Sequence, residues 1–168
     1  IPIANPAHLN IQKQYETAGA MMAIAARTEL VQSFNFPPLV WEFLISGEIP
    51  SINLIFQIDD VYKTSITSLQ DAMKSEMTED EFASRFKMKF VVNDSTGKEV
   101  PLTQRGKTES VTLSNCGLYI SLANNFRINE MKENLESMRK GLWENFNFEP
   151  PPTLDASTLE FACCGQKE

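Results

Sequence analysis

Residues 36–73 read FPPLVWEFLISGEIPSINLIFQIDDVYKTSITSLQDAM. Pro37 and Pro38 lack N–H groups and hold Phe36 extended, so a preceding helix must end there and a new one can begin. Leu39, Val40, Phe43 and Leu44 recur at helical spacing with Trp41 on the flank, and Gly47 is placed to close that helix. A second helix is expected from Asp59 or Asp60, where a carboxylate can cap the free amides. Its Tyr62, Ile66, Leu69 and Met73 follow the 4-3-4 spacing of one helical face. The stretch between the two helices is too apolar for a solvated linker.

Upstream, Asn5 and Pro6 form a helix start, the first as cap and the second at the first helical position. Ile11, Tyr15, Ala18 and Met22 again space 4-3-4, among Gly19, Ala20, Ala23, Ala25 and Ala26. So many small residues predict a helix that another helix approaches closely. Gly19 costs about 1 kcal/mol relative to alanine inside a helix, and tight packing is the expected return. Arg27-Thr28 ends the element.

Downstream, Thr78 with Glu81 three residues later is a capping box opening a short helix. The acidic cluster Glu76, Glu79, Asp80 and Glu81 complements that helix's dipole or meets a partner. Phe86, Met88, Phe90 and Val92 alternate with Lys87, Lys89 and Val91, the period of a half-buried strand. Asn93 to Gly97 supply a turn, and Glu99 to Leu102 return as a second strand, an edge because Pro101 cannot donate to a ladder. Gly106-Lys107-Thr108 is not a phosphate-binding loop, since Pro101 stands where the motif needs its first glycine. From Ser114 to Phe146 the chain reads as helix, broken near Asn124-Asn125. Ile128, Met131, Leu135, Met138 and Leu142 make its second part strongly amphipathic. Asp155 or Thr153 caps a last helix that carries Leu159, Phe161, Ala162 and Cys163 and ends at Gly165.

In this order the motifs resemble the HECT domain of ubiquitin-protein ligases, in a version like that of the HERC proteins. GAMMAIAARTELVQSFNFPPLVWEFL resembles that family's small-residue helix, extended connector and Pro-Pro-initiated helix, and DDVYKTSITSL the helix after it. Further on, Gly106 with Val111, Thr112 and Asn115, then Met138-Arg139-Lys140-Gly141-Leu142, and finally LEFACCG, are similar to motifs of the same family. The resemblance implies an α+β, predominantly α-helical fold. Residues 1–58 and 126–168 would form the larger helical part of the domain's first lobe. Residues 59–125 would form a small helix-plus-β-hairpin subdomain that docks a ubiquitin-conjugating enzyme. The family's catalytic cysteine lies in a later lobe, which this chain is expected to lack.

Composition sets the outer bounds. Apolar residues make up 42% and charged ones 22%, the balance of an ordinary globular chain, and no apolar run has the length of a membrane span. The first residues lack the basic and apolar regions of a signal peptide, and read as a cut inside a longer protein. A net charge of −7 argues against nucleic acid and suits a basic protein partner. Three cysteines, two of them adjacent, make no disulfide framework, so an intracellular, cytoplasmic or nuclear, location is expected.

No catalytic, cofactor or metal site can be drawn from these residues. His8 has no partner near it in sequence, Cys163-Cys164 is not a Cys-x-x-Cys pair, and no two carboxylates stand out as acid and base. The family match gives Cys164 the place of a structural, buried cysteine. It also puts a docking groove for an aromatic side chain of the conjugating enzyme on Leu69, Met73, Phe86, Met88 and Tyr119. Spacing agrees in part, with Leu69 and Met73 sharing a helix face and Phe86 and Met88 a strand face. Ser65 departs from the pattern, standing where family binders carry a larger apolar residue. In the full ligase, ubiquitin would pass from the docked enzyme to the later lobe, and substrates would be recognised by other regions. The other function open to such a chain is that of a non-catalytic helical interaction module derived from a HECT-like lobe.

Overall fold

A computed structural model of the chain describes residues 6–30, 32–48 and 51–165. The fold is α+β and predominantly helical, in the order α1 (Pro6–Thr28), α2 (Pro38–Ser46), α3 (Ile52–Phe56), α4 (Asp60–Lys74), α5 (Glu79–Phe86), β1 (Val91–Asn93), β2 (Glu99–Pro101), α6 (Cys116–Phe146) and α7 (Ala156–Cys164). Two units divide it: Ile1–Leu54 with Met131–Glu168, and Ile55–Glu130. No helix among the described residues is long and apolar enough to cross a membrane.

The first unit is built on a crossing of α1 and the second half of α6. A methyl group on Gly19 would overlap the carbonyl oxygen of Met138, and one on Gly141 would overlap that of Glu16. The two backbones touch through two glycines, the close approach for which the small residues of α1 are suited. Met22 and Ala23 of α1 then join Val40, Trp41, Phe43 and Leu44 of α2, Leu135, Met138, Leu142 and Trp143 of α6, and Leu159 and Cys163 of α7 in one core. Pro37, extended, precedes α2, and Gly47 at φ +74° closes it by donating its amide to Phe43. The indole N–H of Trp143 donates to the Leu44 carbonyl at 2.7 Å, which satisfies a polar group that burial would otherwise penalise. Asp155 caps α7 by accepting the amide of Thr158.

Three expectations change here. The outer face of α1 leaves Ile11 exposed, and Phe161 of α7 is exposed as well. Leu159 and Cys163 lie four residues apart on the buried side of α7, and Phe161, two residues along, falls on the far side of the helix. The deeply buried cysteine is Cys163, its thiol 3.6 Å from the Met22 carbonyl, while Cys164 is half-buried against Phe34. The expected cap at Asn5 and the side chain of His8 lie outside the described residues.

In the second unit, the Asp59 carboxylate accepts the amide of Tyr62 at 2.9 Å and starts α4. This helix buries Tyr62, Ile66, Leu69 and Ala72, but Met73, one position on, is 44% exposed. The capping box at α5 is complete: Thr78 Oγ1 accepts the Glu81 amide while the Glu81 carboxylate accepts that of Thr78. Those bonds hold the Glu81 carboxyl below its usual range. Glu79 reaches across to accept the amides of Leu113 and Ser114, at 2.8 and 3.0 Å, and so ties α5 to the entry of α6.

Thr78→Ala is expected to lower stability by about 1 kcal/mol, read as a fall in the urea midpoint at neutral pH. A carboxylate with a depressed folded pKa stabilises above its unfolded value and loses that contribution as pH falls through the folded one. The gap between parent and variant should therefore narrow on acidification below the ordinary glutamate range. A gap that stays constant would show that the box does not form.

The strand is shorter than alternation implies. Phe86 is the last residue of α5, packed four positions from Phe82 with ring centroids 4.7 Å apart and the rings tilted, and Lys87 at φ +41° turns the chain out of the helix. An i, i+4 aromatic pair behind a good cap outweighs a period-two pattern that begins inside the same helix. The hairpin proper pairs Val91 with Pro101, Val92 with Val100 and Asn93 with Glu99. Met88 is fixed instead by the segment before α6, its carbonyl accepting the Val111 amide, while Phe90 is held from both sides, its amide donating to Glu109 and its carbonyl accepting from Leu102. Helix α6 runs unbroken through Asn124-Asn125. Asparagine costs less than about 0.7 kcal/mol inside a helix. The Asn124 side chain also accepts the Tyr62 hydroxyl at 2.7 Å.

Candidate functional site

A cleft of about 390 Å³ lies wholly within the second unit, between α4, the hairpin and the start of α6. Its floor follows from the helix period of α4: Val61, Ser65 and Leu69 are four residues apart and share a face, with Tyr62 and Ile66 beside them. Leu69 and Ile66 are almost fully buried, whereas Val61 is 80% exposed at the lip. Met88 and Val91 form the opposite wall. Tyr119, on α6, closes the end, its ring edge-on to Phe90 with centroids 5.7 Å apart and its hydroxyl donating to the Val91 carbonyl.

Of the five residues expected to form a groove, the structure brings Leu69, Met88 and Tyr119 together in this cleft. Met73 and Phe86 do not line it. Met73 lies past the last buried turn of α4, its methyl group near Gly117, and Phe86 packs on Phe82 with the Arg85 guanidinium over its face. Ser65 does line the cleft, its hydroxyl turned back to the Val61 carbonyl at 2.9 Å. Sequence reasoning missed Val61, Val91, Asp59, Glu99 and Arg127. Val61 could have been found by stepping one turn back from Ser65; nothing local marks Arg127, which arrives from α6.

Asp59, Tyr62, Ser65, Tyr119 and Arg127, around the cleft, are each committed to a structural hydrogen bond or ion pair. Burial pushes the hydroxyls of Tyr62 and Tyr119 above the ordinary phenol range, and the Arg127 charge only partly offsets this. Arg127 sits over the Tyr62 ring at 5.3 Å and is paired with Glu130 at 2.9 Å. The thiols are no better placed for chemistry. Burial, with Cys164 beside it, pushes Cys163 up to about 12, and burial also raises Cys116. Since the thiolate is the nucleophile, burial disfavours the reactive form of both. What the arrangement can do is accept an apolar side chain between walls already formed.

A family model described as HECT-domain (ubiquitin-transferase) matches residues 2–168. The mouse E3 ubiquitin-protein ligase HERC2 is 28% identical over 166 residues, which cover 97% of this chain and 3% of that protein. Its human counterpart is 29% identical over 153 residues, 89% of this chain and again 3% of the relative. The chain thus spans a small fraction of the length of the curated relatives it matches.

Proposed function

The chain belongs to the HECT-domain (ubiquitin-transferase) family, and from that premise we propose that its second unit docks a ubiquitin-conjugating enzyme. Ubiquitin would then pass to a catalytic cysteine held elsewhere in the full-length ligase. The observation that carries this reading is the preformed cleft with Leu69, Met88 and Tyr119 on its walls. Two of the three cysteines being buried with raised pKa values supports the other half of it: this chain binds and does not itself carry ubiquitin. Substrate recognition falls to other regions of the full-length protein, and the reaction belongs to the cytoplasm or nucleus.

The test is a titration of a panel of conjugating enzymes into labelled protein. At least one should bind, weakly, as suits a transient encounter with a small interface. Met88→Ala should then cost on the order of 2 kcal/mol of binding, about 30-fold in affinity, as for an anchor side chain. Met88 is the better probe than Tyr119, because it is only half-buried and its loss leaves the core intact. Incubation with a ubiquitin-charged enzyme should leave no thioester on Cys116, Cys163 or Cys164. Failure of every enzyme in the panel to bind would replace this reading with the interaction-module one.

A further inference from the structure

We infer that the second unit carries, apart from its cleft, a basic surface that holds an acidic protein segment, a short run of aspartates or glutamates. Lys89, Arg105 and Lys107 form it, with Lys87 beside them. The chain's charge is unevenly spread: residues 85–107 hold six of its 15 basic residues and only two of its 22 acidic ones. An acidic partner is repelled by the molecule as a whole and attracted by this one segment.

The fold gathers cations that lie apart in sequence. Lys89 is bridged to Ser110, and Phe90, the next residue, is held by Glu109 on one side and Leu102 on the other. Phe90 is fully buried, so Lys89, its neighbour in extended backbone, is turned the other way, into solvent. The turn from Thr103 to Glu109 then folds over the same place. Its Gly106 is buried where a methyl group would overlap the Phe90 carbonyl oxygen. Arg105 and Lys107, on either side of that glycine, are both exposed. The turn is fixed from within, since the Arg105 carbonyl accepts the amides of Thr108 and Glu109, both at 2.8 Å. The cations therefore leave from ordered backbone, which lowers the entropy cost of seating a partner.

Three features set the chemistry of that partner. First, Lys87, Lys89, Arg105 and Lys107 form no ion pair among the described residues. The carboxylate of Glu109, which follows the turn, accepts the Thr103 hydroxyl at 3.2 Å. Like charges left unpaired on one surface repel each other, and anions brought from outside relieve this. Second, the surface has no ring on which a base could stack: Phe90 is buried, and Phe86 packs on Phe82 with Arg85 over its face. Third, a nucleic acid or an anionic bilayer would also meet the acidic remainder of a chain whose net charge is −7. A short acidic segment covers the basic surface alone. None of the four cations lines the cleft, so the surface does not depend on the docking reading.

The test is fluorescence anisotropy with an oligoglutamate peptide, run beside a single-stranded oligonucleotide and vesicles of phosphatidylcholine and phosphatidylserine. The peptide should bind best, and more weakly as salt is raised. Lys89→Gln, Arg105→Gln and Lys107→Gln together should weaken it at least about tenfold without lowering the thermal midpoint, since all three sites are exposed. Lys13→Gln, Lys63→Gln and Lys74→Gln together change the net charge equally at other exposed sites, and should stay within about twofold of the parent. If the peptide does not bind, or the two triple variants lose affinity alike, there is no such surface. If the oligonucleotide or the vesicles bind better than the peptide, the assignment to an acidic protein segment is overturned in favour of that polyanion.

Discussion

Gly141→Ala is expected to lower the thermal midpoint of the chain by roughly 10 °C, although alanine is the better helix former. Helix propensity alone favours the variant by about 1 kcal/mol. Against it, the new methyl would fall on the carbonyl oxygen, carbonyl carbon and Cα of Glu16, all backbone atoms of α1. A side chain can rotate away from a clash; a helix backbone has to be displaced whole. That displacement pulls Met22 and Ala23 off Leu135, Met138 and Leu142, so an overpacking cost of about 1–3 kcal/mol is joined by looser packing of the core. With the overpacking cost at the upper end of that range, the loosened core added and the propensity gain subtracted, a net loss of about 3 kcal/mol is expected, and for a chain of this size each kcal/mol moves the midpoint by about 2–4 °C. Gly19→Ala should behave alike, since its methyl would strike Met138 and Leu142 backbone on α6. The control is Gly117→Ala, whose methyl would meet only the flexible end of Met73, at 3.4 Å, and which should be neutral or stabilising. Circular dichroism melts of the three variants decide it. A Gly141→Ala protein melting at or above the parent would rule out a backbone contact between α1 and α6.

What could be read from the residues alone, and what could not, divides along the range of the forces involved. The caps at Asp59, Thr78 and Asp155 and the stop at Gly47 act within one turn, so their residue types declare them. The need for close approach along α1 was legible from its small residues, but not the identity of Gly141 as the matching contact, 122 positions away. The errors arose where two local patterns overlapped or a distant group intervened. Phe86 fits both a strand alternation and an i, i+4 pair with Phe82, and the helix wins because its cap is complete. Asn124-Asn125 looks like a break until the Tyr62 hydroxyl supplies a partner for Asn124. Met73 continues the 4-3-4 spacing, yet the last turn of α4 is covered on the Ala72 side instead. In the cleft, the helix period placed Leu69, and nothing in one dimension could bring Glu99 and Arg127 to the same mouth.

Phe82→Ala is the second large effect, and it separates support of the cleft from its lining. Phe82 is fully buried, is the one residue that α5 buries, and packs at a tilt on Phe86. Removing such a ring costs about 3–5 kcal/mol through lost transfer energy and the cavity left behind. An eight-residue helix has no stability of its own, so α5 should detach rather than repack. Glu79 goes with it and leaves the amides of Leu113 and Ser114, which it accepts in the parent, open to water. Hydrogen exchange should therefore accelerate at Leu113 and Ser114 as well as along α5, two sites far apart in sequence losing protection at one rate. Docking should weaken too, because Met88 follows α5 by two residues, though Phe82 itself is no part of the cleft. Restoring a ring with Phe82→Tyr would put a hydroxyl into a fully buried site and should recover only part of the loss. Were Phe82→Ala to keep its stability within about 1 kcal/mol and its protection at Leu113, α5 would be an ornament on the second unit, and the position of Met88 would have to be explained by the Val111 bond alone.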